Sequence, residues 1–79
     1  MRNVTIYDAG EQYADRYTVL MHDTHDAYTM SDDANMPNGV CMYVNYTQYR
    51  AHVHTLPVVA FADLPQGTQR QIVYLRRTL

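Results

Sequence analysis

The chain has 79 residues, of which 47% are hydrophobic and 18% are charged, and its formal net charge at pH 7 is −2. This length excludes a second domain, and the large apolar fraction argues against a disordered chain. No stretch approaches the roughly 18 apolar residues of a membrane span, so no membrane partner is expected. We therefore expect one soluble, folded domain over residues 1–79.

The chain contains a single cysteine, Cys41, which excludes an internal disulfide. Small secreted domains commonly depend on disulfides, and the first residues lack the apolar run of a signal peptide. These observations predict a cytoplasmic protein.

Charge is divided unevenly along the chain. Residues 1–33 hold seven of the eight acidic residues and two arginines, whereas residues 34–79 hold one acidic residue and four arginines. Such an asymmetry can steer a charged partner, or allow a homodimer in which an acidic face meets a basic face. An ordinary solvated surface is the alternative.

The first predicted elements are three strands. Val4–Tyr7 is β-prone and is followed by turn-forming residues around Gly10. Residues 16–22 and 26–30 both alternate, which predicts a hairpin with its turn at Asp23–Thr24 or Thr24–His25. The first turn gives three cross-strand pairs: Tyr17 with Met30, Thr18 with Thr29, and Val19 with Tyr28.

Residues 31–39 are dense in turn formers and predict a loop, after which the pattern is ambiguous. Val40, Met42 and Val44 alternate as in a strand. Val40, Tyr43 and Val44 also share one face of a short helix that would begin near Asn38, and the helix is the favoured interpretation.

The last elements are a strand and a helix. Val58–Phe61 is apolar and follows Pro57, which predicts an edge strand. The helix has Asp63 as its N-cap and Pro65 in its first turn. Its apolar stripe consists of Leu64, Thr68, Ile72, Leu75 and Leu79.

These elements predict an α+β fold: a small antiparallel sheet of three to four strands covered by a C-terminal amphipathic helix. A short helix or a loop is expected between strands 3 and 4.

Three segments of the chain resemble a known group of proteins. They are YDAGEQYADRYTVL (residues 7–20), YTMSDDANMPNGVCMY (28–43) and FADLPQGTQRQI (61–72). With a DRYTV strand, a Pro-x-Gly segment and a helix led by Leu-Pro, they look like small uncharacterised proteins encoded by bacteriophages and other mobile elements. The resemblance implies a phage or plasmid accessory protein in the cytoplasm of a bacterial host. Such proteins often act by binding a host complex, as anti-CRISPR proteins do, and no functional residue is carried over.

Two sets of residues are candidates for binding a partner. The acidic set comprises Asp23, Asp26, Asp32 and Asp33, and the aromatic set comprises Tyr43, Tyr46 and Tyr49. Steps of three place several tyrosine rings on one side of a helix, and tyrosine suits interfaces; the alternative is that the tyrosines fill a core without tryptophan. The hypothesis is a non-enzymatic inhibitor that covers an arginine-rich surface of a host defence complex with its acidic face. Only Arg50 lies near the tyrosine run, so direct nucleic-acid binding is not expected.

A small metal- or cysteine-dependent enzyme is the alternative function. His22 with His25, and His52 with His54, form two pairs that zinc or nickel could use, and Cys41 could act as a nucleophile beside a base. Neither spacing matches a structural zinc pattern, and the residues around Cys41 match no known cysteine enzyme. We therefore predict no catalytic residue, no metal site and no cofactor.

Overall fold

The structure is a computed structural model that describes residues 1–32 and 41–78. It contains one five-stranded antiparallel sheet, two α-helices and a short 3₁₀ turn. The strands are β1 (Val4–Asp8), β2 (Tyr17–Met21), β3 (Asp26–Met30), β4 (Cys41–Val44) and β5 (Val58–Val59). The helices are α1 (Tyr46–Val53) and α2 (Gln66–Thr78), and the 3₁₀ turn is Phe61–Asp63. The strand order is β4-β3-β2-β1-β5. The antiparallel sheet with its C-terminal helix confirms the predicted α+β class, although the sheet has five strands where three to four were expected.

The β2–β3 hairpin has the predicted register. Its Cα partners include the three predicted pairs, Tyr17 with Met30, Thr18 with Thr29, and Val19 with Tyr28. The last pair is Met21 with Asp26, so Asp23–Thr24 lies at the centre of a four-residue loop and not in a two-residue turn. His25 closes this loop with a φ of 57°, in the left-handed region.

Helix α2 covers one face of the sheet. Val19, Met21 and Met30 from the strands pack in one cluster with Leu64 and Ile72. Val19, Met21, Met30 and Ile72 are completely buried. Burial of each such side chain contributes about 1.5–3 kcal/mol, so this layer is a main source of stability.

Helix α1 covers the opposite face. Leu20 and Ala27 pack there with Tyr46 and Val53. All five residues of β2 are consequently buried. The sequence predicted a helical cover on only one face, and α1 supplies the second.

The favoured helix over the run after residue 39 is wrong for Cys41–Val44, which forms strand β4. Pairing with β3 places Tyr43 beside Tyr28 and Cys41 beside Met30. The helix begins only after Asn45, whose side chain accepts a hydrogen bond of 2.9 Å from the backbone N–H of Gln48. Asn38, the predicted helix start, lies outside the described residues.

The C-terminal helix begins later than predicted. Asp63 lies in the 3₁₀ turn, and the backbone carbonyl of Pro65 accepts the helical hydrogen bond from the Gln69 N–H at 3.0 Å. Of the predicted stripe, Leu64, Thr68 and Ile72 are buried and Leu75 is partly buried against the same cluster, whereas Leu79 lies outside the described residues. Strand β5 is an edge strand as predicted, but it covers only Val58–Val59. Neither described helix is long and apolar enough to cross a membrane.

Candidate functional site

The predicted acidic residues lie at opposite ends of the β2–β3 hairpin. Asp23 and Asp26 are at the loop end, whereas Asp32 follows the far end of β3. Four residue steps along β3 correspond to about 14 Å. Asp33 lies outside the described residues. The three described carboxylates therefore do not form one continuous patch.

Two of these carboxylates lie beside arginines. Asp23 accepts two hydrogen bonds of 2.9 Å from the Arg76 guanidinium, and this contact holds the pKa of Asp23 below its usual value. At the other end, the Arg16 guanidinium donates to Asp8 at 2.8 and 3.0 Å and lies 3.7 Å from Asp32. The charge asymmetry along the sequence is thus partly cancelled in space.

The three predicted interface tyrosines are divided between the two faces of the sheet. Tyr43 lies on β4, is 61% exposed, and donates a 2.8 Å hydrogen bond to Asp26. This bond raises the pKa of the Tyr43 hydroxyl. Tyr46 is the first residue of α1 and is buried against the sheet with Leu20 and Ala27, and Tyr49 is half-buried against the same cluster. The structure therefore brings Tyr46 and Tyr49 together but separates Tyr43 from them.

His22 and His25 have structural contacts at the hairpin loop. One ring nitrogen of His22 lies 2.7 Å from the Thr5 hydroxyl, and the other lies 2.6 Å from the Tyr46 hydroxyl. The His25 ring stacks on the Tyr46 ring with centroids 4.7 Å apart. These contacts join the loop to β1 and to the first residue of α1.

The second histidine pair lies at the end of α1. His52 is in the last turn of the helix and His54 follows the helix. Two histidines separated by one residue share a face only in an extended segment, and this segment is not extended. The Nδ1 atom of His54 lies 2.7 Å from the Ala51 carbonyl oxygen. Across the described part of the chain, no three His, Cys, Asp or Glu side chains are placed to hold a metal ion.

Cys41 begins strand β4 and is half-buried beside the cluster under α2. Burial raises the pKa of its thiol, while a hydrogen bond with Gln71 acts in the opposite direction. A raised pKa leaves little thiolate at neutral pH, so this environment does not activate the sulfur as a nucleophile.

One face of α2 points away from the sheet, and we call it the α2 outer face. Arg70, Tyr74 and Arg77 are exposed there at helical spacing, with the side chain of Tyr74 62% exposed. A groove of about 440 Å³ runs along this face. Its lining residues are Phe61, Gln66, Gln69, Arg70, Val73, Tyr74 and Arg77.

Arg70 and Arg77 differ from their neighbour Arg76. Arg76 is held by Asp23, whereas neither Arg70 nor Arg77 forms an ion pair with a described acidic residue. The α2 outer face therefore presents two cationic side chains around aromatic and apolar ones. This face could have been predicted from the sequence. Once the buried stripe of α2 is assigned, helical spacing places Arg70, Tyr74 and Arg77 together on the exposed side of the helix.

We compared the chain with protein-family models, curated proteins and solved structures, and no match was found.

Proposed function

We propose that the chain is a non-enzymatic protein–protein interaction module encoded by a phage or mobile element. It would act as an inhibitor of the anti-CRISPR type, by binding a host defence complex. The observation that carries the interaction is the α2 outer face. There Arg70, Tyr74 and Arg77 are exposed beside a groove of about 440 Å³. Tyrosine and arginine are enriched among the residues that contribute most to binding at protein interfaces.

The chemistry of the α2 outer face selects the kind of partner surface. Arg70 and Arg77 favour carboxylates, and guanidinium groups can bind them with two hydrogen bonds each. Phe61 and Val73 form the apolar part of the groove. The expected partner is therefore an acidic protein segment that carries an apolar side chain.

The alternative is that the chain binds its partner through the acidic face. It uses Asp23, Asp26, Asp32 and Asp33 against an arginine-rich partner. It has weaker support because Asp23 is already bound by Arg76, and Asp32 lies at the other end of β3 from Asp26.

Co-purification with candidate defence complexes tests the proposal. Nuclease-treated extracts would be used, so that retention reports protein contact rather than bridging nucleic acid. The Arg70→Glu/Arg77→Glu variant and the Tyr74→Ser variant should lose the complex. Arg50→Glu and Tyr43→Ser are matched controls, because Arg50 is an exposed arginine on α1 and Tyr43 is as exposed as Tyr74.

The competing surface has its own variant in the same experiment. Asp26→Lys reverses a charge at the hairpin loop and should leave binding intact. If Asp26→Lys abolishes retention while the arginine variants keep it, the acidic face replaces the α2 outer face as the binding surface. If every variant behaves like the wild type, neither surface is correct.

A further inference from the structure

A second concave surface lies on the sheet face that α1 covers. It is a cavity of about 370 Å³ between α1 and the loop that follows β1, and we call it the α1 cavity. The residues that matter here are Tyr13, Asp15, Thr18, Thr29, Tyr49 and His52. Its volume falls in the range of about 300–1,000 Å³ that is typical of small-ligand sites. Because it lies across the sheet from α2, it can be tested independently of the proposed function.

The floor of the α1 cavity contains two buried threonine residues. Thr18 and Thr29 are direct partners across the β2–β3 pair, and only 6% and 5% of their surfaces are exposed. Their side chains share a face with Leu20 and Ala27, which pack against α1. Both residues line the cavity, so their hydroxyls can accept hydrogen bonds from a ligand there.

The walls of the α1 cavity combine aromatic rings with a carboxylate. Tyr13 belongs to the loop and is 57% exposed, while Tyr49 belongs to α1 and is half-buried. Asp15 lines the cavity and forms no ion pair with any cation among the described residues. The adjacent Arg16 does not neutralise it, because Arg16 is bound to Asp8 through two hydrogen bonds.

This lining favours a cation and disfavours an anion. Apart from the imidazole of His52, the lining includes no side chain that can carry a positive charge, and the Asp15 carboxylate would repel a phosphate or a carboxylate. Carboxylate and hydroxyl oxygens accept hydrogen bonds, and tyrosine rings attract a cation over their faces. A guanidinium group has five N–H donors and no acceptor, it stacks on aromatic rings, and it pairs with carboxylates.

From these contacts we infer that the α1 cavity binds the guanidinium group of an arginine side chain. Asp15 supplies the charge, Tyr13 and Tyr49 supply the rings, and the hydroxyls of Thr18 and Thr29 accept hydrogen bonds from the inserted group. The arginine comes either from a free amino acid or from an arginyl residue of a polypeptide.

An NMR titration of the ¹⁵N-labelled full chain tests this inference. The probes are N-acetyl-arginine amide, free arginine and the isosteric neutral N-acetyl-citrulline amide. Saturable shifts are expected at Tyr13–Thr18, at Thr29 and along α1 around Tyr49, with the citrulline probe at least ten-fold weaker. Tighter binding of the capped probe than of free arginine would identify an arginyl residue as the natural occupant, and the reverse would identify the free amino acid.

Two variants of the loop separate a specific site from general charge attraction. Asp15→Asn should weaken binding of the arginine probe at least five-fold. Glu11→Gln removes one negative charge from the same loop at a residue outside the cavity lining, and it should leave binding unchanged. Equal weakening by both variants, equal binding of the citrulline probe, or no saturable shift would each overturn the inference. Without ligand, both variants should give NMR spectra like that of the wild type, which would confirm that they fold.

Discussion

Arg76 and Asp23 are 53 residues apart in the chain, yet the guanidinium donates two 2.9 Å hydrogen bonds to the carboxylate. The contact joins the end of α2 to the loop of the β2–β3 hairpin. It pairs an acidic residue from the first part of the chain with a basic residue from the second. Arg76 is therefore paired within the fold, whereas Arg70 and Arg77 lie on the α2 outer face without an ion pair to a described acidic residue.

The first prediction concerns this ion pair. Arg76→Gln should lower the denaturation midpoint, and Asp23→Asn should have little additional effect when it is combined with Arg76→Gln. The effect should be small and should shrink at high salt, because the pair is partly exposed and the Debye length falls to about 3 Å at 1 M salt. Arg77→Gln is the control, since it makes the same charge change on the next residue. Urea denaturation at low and high salt would measure this, and additive effects of the two substitutions would argue against the contact.

The second prediction concerns pH. The hydrogen bonds from Arg16 hold the pKa of Asp8 below its usual value, although burial acts in the opposite direction. A carboxyl group whose pKa is lower in the folded state stabilises the fold above its unfolded-state pKa and loses that contribution as the pH falls through the folded value. The urea concentration at the unfolding midpoint of the wild type should therefore decrease as the pH is lowered below about 4. Asp8→Asn should make this pH dependence weaker. An unchanged acid profile in Asp8→Asn would show that other carboxyl groups carry the effect.

The third prediction concerns a hydroxyl group under α2. Thr68 is completely buried, and its Oγ1 atom has no hydrogen-bond partner in the described part of the chain. Thr68→Val replaces this hydroxyl with a methyl group of similar size, which should raise the free energy of unfolding by about 1 kcal/mol. Thr68→Ser keeps the hydroxyl and loses the methyl group, so it should be less stable than the wild type. Urea denaturation distinguishes the two, and a destabilised Thr68→Val variant would indicate that the hydroxyl is paired in solution.

The fourth prediction concerns the attachment of α1. The Tyr46 hydroxyl contacts one ring nitrogen of His22, and its loss leaves that nitrogen without its partner. Tyr46→Phe should therefore lower the free energy of unfolding by about 1–2 kcal/mol and speed amide hydrogen exchange in the hairpin loop. Tyr43→Phe, which removes an exposed hydroxyl from β4, is the matched control. Equal loss of stability in the two variants would contradict the role given to the His22 contact.

Local patterns were enough to predict the hairpin. Alternation along residues 17–30 fixes which side chains share a face, and the three predicted pairs recur in the structure. The apolar stripe of α2 was equally clear, because Leu64, Thr68 and Ile72 follow helical spacing.

Helix α1 was harder to locate, because the residues before it also fit a strand. Val44 suits both structures, and the decision depends on Asn45, whose side chain caps the backbone at Gln48. An Asn followed by Gln three residues later is a helix-start pattern, and it marks Tyr46 as the first helical residue.

The arrangement of surfaces could not be obtained from local patterns. The pairing of Asp23 with Arg76 requires the position of α2 on the sheet, and the separation of Asp26 from Asp32 requires the length of β3. The α1 cavity likewise brings together Asp15, Thr29 and Tyr49, which lie on three separate elements.

Phage plaquing is the most informative test of inhibition of a defence complex through the α2 outer face. Isogenic bacterial strains would each carry one CRISPR–Cas type and a spacer against the infecting phage, and each would express the chain or a variant. We expect the wild type and Arg50→Glu to restore plaquing in at least one strain, and we expect Arg70→Glu/Arg77→Glu to fail despite equal protein levels. Failure of the wild type in every strain, or full restoration by Arg70→Glu/Arg77→Glu, would disprove inhibition through the α2 outer face.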